Sequence, residues 1–501
     1  MSKKPNIVYI LNDHQAWYGH GMNGGVKPLR PNFERLAEEG IEFTNSYSVT
    51  PMCGPARRSM LTGLYPHTHQ QVHNENDPPY CHEVYLDNLA EAGYQNFYYG
   101  KWHAGPGSAY DHHTKGFSYS GYGNPYNMPE YEEYLKKRNL PRATHYIERV
   151  FDQNSFAPSN FFNKLKEGEN YQQETYWSGE HAVGITITPK ETHEAFFLAN
   201  LACEKLEELA KSDSDQPFSL RVDFWGPHQP FFPTQEFADL YNPEDIQQYP
   251  SFDNDLKDKP NVLKTEANKP LGDGKNIIYP NPLPWSEWQK VLARCYAQIT
   301  MVDAAGGMVL DKLKELGLDE NTIIIWTTDH GDAIACHGGH FDKDSHMAQE
   351  VMRVPMAMSW KNKIAPKQKN NDLVFTCDSP VTMLDAAGLK FGNRVDGRSL
   401  LDLALNRQDV PKWRDSLMCE TYGHGYGVTI IGRMVVKGDY KYVCTENDLD
   451  ELYDLKNDPY ELKNLAVLPE YDGLKNEMRE LLREKQQESL DPIPLERLLP
   501  Q

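Results

Sequence analysis

Short runs of apolar residues recur along the chain and stop abruptly at polar ones. Asn6–Leu11 (NIVYIL), Asn96–Gly100 (NFYYG), Phe218–Phe224 (FSLRVDF) and Thr322–Thr328 (TIIIWTT) are such runs. Nearly continuous hydrophobicity over this length predicts strands buried on both faces, as in a parallel sheet. Between them the period becomes that of amphipathic helices. Asn32–Glu39 reads as a helix stopped by Gly40, His193–Lys211 as a long helix, and Glu287–Leu316 as a longer one closed by Gly317. Strands alternating with helices imply an α/β fold with a mainly parallel central sheet.

From about Val374 the pattern changes. Thr382–Ala387 reads as a last helix, Tyr426–Val443 alternates like antiparallel strands, and Leu474–Gln487 is a charged helix. The expected division is a catalytic domain over 1–373 and a smaller C-terminal α+β subdomain with an antiparallel sheet over 374–501. The tail Asp491–Gln501 has no fold of its own. It is expected to dock on its own body or, in a homo-oligomer, on another subunit. Two polar stretches, about 105–190 and 234–284, read as insertions over the mouth of a site. The first holds Tyr119, Tyr122, Tyr126, Tyr131 and Tyr134, which either stack on sugar rings or pack the insertion together.

The predicted strands end in residues capable of chemistry. They are followed by Asn12-Asp13-His14, Lys101-Trp102-His103, Trp225-Gly226-Pro227-His228 and Asp329-His330-Gly331-Asp332. Sites in open α/β sheets form beyond the carboxyl ends of strands, so these segments are expected to converge.

Composition narrows the possibilities. The 501 residues, 39% of them hydrophobic, can bury one large core with a smaller companion. A formal charge of −21 argues against nucleic acid or an anionic membrane as partner, since both need a basic surface. No run is long enough to span a bilayer, and the N-terminal segment lacks the shape of a secretory signal, so the expected compartment is the cytoplasm. Eight cysteines are scattered with no CxxC pair, which reads as reduced thiols, mostly in the core. His67, His69 and His73 read as a polar loop near the site mouth rather than a second metal site, and Asp303 as structural.

Cys53 stands apart through its context. The segment Pro51-Met52-Cys53-Gly54-Pro55-Ala56-Arg57-Arg58-Ser59-Met60-Leu61-Thr62-Gly63 resembles the signature of the type I sulfatases of the alkaline phosphatase-like superfamily: C-x-P-x-R, then a short helical run ending in Thr-Gly. Further landmarks follow in the family's order. Pro5-Asn6-Ile7-Val8 before Asp13 resembles its opening strand, and Gly100-Lys101-Trp102-His103 its G-K-W-H. Pro227-His228-Gln229-Pro230-Phe231 is similar to P-H-x-P-[FY], and Thr328-Asp329-His330-Gly331 to [ST]-D-H-G. Lys343 stands at the second lysine, Arg353-Val354-Pro355 matches R-V-P, and Glu451-Leu452-Tyr453-Asp454-Leu455 resembles the C-terminal E-L-Y-D-L. One position departs. Many members carry Asp-Asp after the first strand, and this chain has Asp13-His14.

The resemblance implies a sulfuric ester hydrolase whose residue 53 is oxidised to formylglycine by a formylglycine-generating or maturase enzyme. Hydrated, the aldehyde is a geminal diol: one hydroxyl attacks sulfur, and the other later expels sulfate as the aldehyde re-forms. Pro55 suits the start of a helix, which would put residue 53 at a helix N-terminus that favours an anion. Asp13, Asp329 and the modified Cys53 would give oxygen ligands to a divalent cation, with His330 completing the set and His14 adding to it. Oxygen-rich ligation favours calcium, and the imidazoles leave manganese as an alternative. Arg57, Lys101 and Lys343 would surround the sulfate. The resemblance assigns His103 to the proton of the second hydroxyl, His228 or Lys343 to the departing alcohol, and Asp329 to the attacking hydroxyl. The expected substrate is a small-molecule or oligosaccharide sulfate ester, a carbohydrate sulfate ahead of an aryl sulfate. The first rival is a phosphonate monoester hydrolase or phosphodiesterase of the same superfamily, which tends to lack the Lys-x-His pair. The second is a binding protein on a degenerate scaffold.

Overall fold

The computed structural model describes residues 3–17, 25–119, 125–151, 170–171, 181–212, 214–265, 271–272, 277–278, 283–343, 345–425 and 429–499. Its centre is an 8-stranded sheet. In chain order the strands are β1 (Asn6–Asn12), β2 (Ile41–Phe43), β3 (Gln95–Lys101), β4 (Thr114–Tyr119), β5 (Phe218–Asp223), β6 (Thr322–Thr328), β7 (Met356–Trp360) and β8 (Gln368–Asn370). In space they run β8-β2-β7-β6-β1-β5-β3-β4. The strands read from hydrophobic runs are β1, β3, β5 and β6, and they are mutual neighbours. All the pairings from β6 through to β4 are parallel, while β7 runs antiparallel to β6 and β2.

The reason is burial on both faces. Val8 and Ile10 point into one core with Leu220, Val222, Ile324 and Trp326, which the Glu194–Lys211 and Trp285–Glu315 helices cover. Ile7, Tyr9 and Leu11 point the other way, toward Met60 and Leu61 of the Cys53–Thr62 helix and Met383 of Asp378–Ala386. Asp303 is structural, as expected: its carboxylate accepts from the Asn32 and Phe33 backbone N–H groups at 3.0 and 2.9 Å and holds the start of the Pro31–Glu38 helix.

The stretch read as an insertion from 105 differs from that reading in its first part. It contributes β4, an edge strand of the central sheet, and the Pro129–Arg138 helix. Tyr126, Tyr131 and Tyr134 belong to the main core. Tyr131 and Tyr134 donate their hydroxyls to the Thr192 and Glu191 carbonyls at 2.7 and 2.8 Å. These rings pack; they do not offer a face to a sugar. Tyr122 lies outside the described residues. The two insertions meet in one 5-stranded sheet, where His145–Phe151 pairs with Ala182–Thr186 from the first and Leu271–Gly272 from the second.

Beyond Val374 the chain first returns to the main body. Val374–Phe375 pairs with Ser46–Tyr47, and Asp378–Ala386 packs on the central core. A separate antiparallel sheet follows in the order β9 (Ser416–Thr421), β10 (Gly432–Lys437), β11 (Tyr440–Thr445), β12 (Glu451–Asp454), with the Asp472–Ser489 helix against it. The tail docks on its own body, burying Leu495 and Leu498 in that cluster. No described helix is long and apolar enough to cross a membrane. All eight cysteines are free and only Cys81 is exposed, in line with the reading as reduced core thiols.

His67 and His69 form part of a short helix, Pro66–His69, instead of a loop. His67 joins the two halves of the molecule: its Nδ1 lies 2.7 Å from a Glu420 carboxylate oxygen on β9. Burial opposes protonation of His67, but the Glu420 carboxylate raises its pKa above the ordinary 6.5. The stabilisation from this pair is therefore complete below the unfolded value and is lost as pH rises through the raised one. The loss of thermal midpoint in Glu420→Gln is expected to be larger at about pH 6 than at about pH 9, because the Arg433–Glu420 contribution does not titrate in that range. A difference independent of pH would show that His67 is not charged in the folded protein.

Candidate active site

The parallel register brings the polar strand ends to one edge of the sheet. Leu11 is level with Asp223, Asn12 with Thr328, and Gly100 with Asp223. Asp13, Asp329, Lys101 and the segment beginning at Phe224 therefore leave the sheet side by side. The Cys53–Thr62 helix enters the same place. It opens from an extended Met52 and ends at Gly63 in the left-handed conformation (φ 70°). Pro55 lies in its first turn, where an N–H has no helical partner to lose. Cys53 is its first residue, fully buried.

Arg57, one turn further along, is the hub. Its Nε donates to Asp329 (2.8 Å), its Nη1 donates to Asp223 (3.1 Å) and the Lys101 carbonyl (3.0 Å), and its Nη2 lies 3.4 Å from Asp13. Lys101 donates to the same Asp13 oxygen, and its Nζ lies 4.1 Å from the centre of the Trp225 ring. The glycine of the G-K-W-H segment has a local cause. A Cβ at Gly100 (φ 125°) would lie 1.9 Å from the Asp223 carbonyl oxygen. His103 follows in a left-handed turn (φ 46°), which brings its backbone oxygen against Gly54 beside the nucleophile position.

Imidazoles close the other side. His330 Nδ1 donates to the Gly331 carbonyl (2.8 Å), so its Nε2 carries the lone pair and faces Cys53 Sγ at 3.0 Å. Lys343 Nζ donates to His14 Nε2 (2.5 Å), so that nitrogen is also an acceptor, 3.8 Å from Cys53 Sγ. His14 Nδ1 faces Asp342 and Asp332 at 3.6 and 3.7 Å. His228 lies against His14 with ring centres 4.0 Å apart and planes inclined by 33°, and its Nδ1 donates to the Gln229 carbonyl at 2.6 Å. Asp13, His14, Cys53, Arg57, Lys101, His228, Asp329, His330 and Lys343 are brought together here with His103 beside them, but the closest group of ligand atoms is Asp13, His14, Cys53 and His330, while Asp329 is engaged by Arg57 and the His330 N–H.

Burial and charge sort the protonation states. Burial would neutralise Asp13, but Lys101 and Arg57 hold its carboxyl well below the usual range. Burial and then the Asp13 charge push Asp329 up to about 7. Burial is the largest influence on His14, His103, His228 and His330 and keeps all of them neutral, His228 at about 3. Burial also pushes the Cys53 thiol up to about 12 in spite of Lys343 and Lys101, so the unmodified side chain is not a thiolate nucleophile.

The donor set suits a cation. Asp13 Oδ1 is buried without a hydrogen-bond partner, and ligand atoms of Asp13, His14, Cys53 and His330 lie within 4.8 Å of one another. A buried carboxylate oxygen without a partner, in a cluster with an imidazole lone pair, is costly unless something positive is held there; the His14 lone pair already accepts from Lys343.

The sequence pattern that defines the sulfatases matches residues 5–389. The chain belongs to the sulfatase family. A second pattern, the C-terminal region of N-sulphoglucosamine sulphohydrolase, matches residues 336–488. The sulfatase is 25% identical over 516 residues to the N-acetylglucosamine-6-O-sulfatase of Bacteroides thetaiotaomicron, covering 99% of this chain and 88% of that one. Its fold resembles that of a protein solved with its substrate D-glucosamine-2-N,6-O-disulfate (TM-score 0.72, 20% identity, 99% and 100% of the two chains). It also resembles the phosphonate monoester hydrolase of Agrobacterium radiobacter (TM-score 0.76, 20% identity, 97% and 96%).

Some residues of this sulfatase's site escaped the sequence reading. Asp223 is fully buried, takes the side chains of both Arg221 and Arg57, and lies 2.7 Å from the Tyr98 hydroxyl. It reads as an interior residue of an apolar run, and a charged pair at Arg221 and Asp223 inside a buried strand was the available signal. Asp342 accepts from the Lys343 backbone N–H at 2.6 Å and faces His14, yet its loop carries no periodic pattern.

Proposed function

We propose that this sulfatase releases sulfate from a carbohydrate sulfate ester through a formylglycine at position 53, beside a divalent cation held by Asp13, His14, Asp329 and His330. The observation that carries it is the cluster of ligand atoms from Asp13, His14 and His330 around residue 53, with Asp13 Oδ1 buried and without a hydrogen-bond partner. The full burial of Cys53 supports it, since burial pushes its thiol up and makes the unmodified side chain a poor source of thiolate. A bound cation would polarise the nucleophile and neutralise sulfate oxygens; two nitrogen ligands make manganese a stronger candidate beside calcium than an all-oxygen set would. The sugar is supported by the relative that acts on N-acetylglucosamine 6-O-sulfate and by the fold shared with the protein bound to a glucosamine disulfate.

The chain's own residues then take defined parts. Asp329, whose carboxyl is raised above the usual carboxylate range by burial and by the Asp13 charge, accepts the proton of the attacking hydroxyl. Arg57 holds Asp13, Asp223 and Asp329 in place from within, and Lys101 and Lys343 supply the positive charge that faces sulfate. His103 takes the proton of the second hydroxyl as sulfate leaves. His228 is neutral with its proton on Nδ1; the charge of a bound sulfate raises its pKa, and Nε2 then delivers a proton to the departing alcohol.

Peptide mass spectrometry across residue 53, together with sulfate release from N-acetylglucosamine 6-sulfate, glucosamine disulfate and 4-nitrophenyl sulfate, tests the reading. Cysteine-to-formylglycine conversion with turnover of a sugar sulfate is the expected result. Conversion with faster cleavage of a phosphonate monoester would transfer the assignment to the phosphonate hydrolases, whose fold is equally close.

A further inference from the structure

The segment that carries His228 runs through the protein interior, with His228 and Gln229 fully buried. Its backbone groups cannot bond to water and need partners from the protein. Two side chains outside the catalytic set supply them. Glu194, in the first turn of the Glu194–Lys211 helix, accepts the Gly226 N–H at 3.0 Å. Gln298, midway along the Trp285–Glu315 helix, donates to the His228 and Pro230 carbonyls at 3.0 and 3.1 Å and accepts the Phe232 N–H at 2.7 Å. Both side chains are buried among otherwise apolar helix faces. A glutamine satisfying three groups of one loop is matched to that loop alone.

The bonds lead directly to the reacting groups. The Gly226 carbonyl, on the residue whose N–H Glu194 holds, accepts the Asp13 N–H at 3.1 Å. Trp225, the residue before, lies over the Lys101 ammonium. Gly226 has no room to shift its path, since a Cβ there would lie 2.6 Å from Val302. On the far side, Phe231 is tied to the Ala182–Thr186 strand through Phe231 N to Ala182 O (3.1 Å) and Gly184 N to Phe231 O (2.9 Å). The loop is therefore fixed at both ends, and Gln298 grips the His228 carbonyl between them.

We infer that Glu194 and Gln298 are positioning residues for proton delivery: they fix the 225–232 loop so that the His228 ring, packed against His14, faces the leaving group. This rests on the assignment of His228 as the general acid. Rigid helices suit the task, because an error of about 1 Å at a catalytic group costs on the order of 10²-fold.

The test compares kcat/KM on phenyl sulfate, a poor leaving group, with 4-nitrophenyl sulfate, a good one that needs little acid assistance. His228→Ala is expected to lose roughly 100-fold on phenyl sulfate and under about 10-fold on 4-nitrophenyl sulfate. Gln298→Ala and Glu194→Ala are expected to lose in the same sense, roughly 10-fold or more against about threefold. Glu194→Gln keeps an acceptor for the Gly226 N–H and is expected to restore the wild-type ratio. Should the alanine variants fail to fold, Gln298→Glu keeps the volume and the acceptor for Phe232 but lacks both donated bonds, and the same selective loss is expected. Equal losses on the two esters in the Gln298 and Glu194 variants, with selective loss in His228→Ala, would overturn the inference and leave the acid assignment standing. Equal losses in His228→Ala would overturn both.

Discussion

Cys53→Ala is expected to abolish sulfate release, lowering kcat by about 10⁵-fold or more, while the thermal midpoint stays close to that of the wild type. The nucleophile is the one group whose loss cannot be offset by neighbours that act together with it. The fold tolerates the change because the thiol has few obligations. It is buried and protonated, and its closest polar neighbour, His330 Nε2 at 3.0 Å, belongs to the ligand set. A small side chain at the first position of a helix already closed by Gly63 leaves a stability change within about 1 kcal/mol. Cys53→Ser sharpens the test. A serine hydroxyl can attack sulfur but has no second hydroxyl through which to expel sulfate. One alcohol released per enzyme, followed by arrest, is the expected time course. Steady turnover by either variant would exclude residue 53 as the nucleophile.

Arg57→Ala is the second large effect, and it strikes stability as well as activity. The guanidinium is fully buried and lies within 2.8 to 3.4 Å of oxygens on Asp329, Asp223 and Asp13. Removing it takes away the guanidinium partner of the buried Asp329, while Asp13 keeps Lys101 and Asp223 keeps Arg221. Breaking a buried ion pair from one side costs about 3–5 kcal/mol, because the remaining charge stays desolvated. Denaturant unfolding should register that loss. Activity at a temperature where the variant remains folded should fall by at least about 10³-fold, since Asp329 and Asp13 lose the group that spaces them. Arg57→Lys should not rescue it. A lysine carries the charge at one point and cannot reach from the helix to three carboxylates on separate strands. A stable, active Arg57→Lys protein would show that net charge, not the fork of the guanidinium, is what the site requires.

Much of this molecule could be read from residue order because the informative elements are buried on both faces. The strands β1, β3, β5 and β6 announce themselves as mainly apolar runs, and chemically capable polar residues leave their ends. The C-x-P-x-R segment places its nucleophile at a helix start for a reason that needs no tertiary knowledge, the missing N–H of Pro55. Short strands were not legible. β2 and β8 are each 3 residues long, too short for a period to show. β9 hides Ser416, Glu420 and Thr421 in the interior, so its polar letters argue against the burial it has.

Residue order thus named the candidate groups of this sulfatase: Cys53, the aspartates, the lysines and the imidazoles, most of them at a strand end or helix start. Three-dimensional packing decided which partners those groups meet. Asp223 became part of the site only when Arg57 crossed from its helix to meet it. Tyr126, Tyr131 and Tyr134 turned out to be core rather than sugar-binding surface once β4 joined the sheet edge. Gln298 and Glu194, far from His228 in sequence, came to hold its loop. The physical reason is common to all three. A periodic pattern reports which face of an element is buried, whereas the partner of a buried polar group is a choice among distant residues that only the closed interior makes.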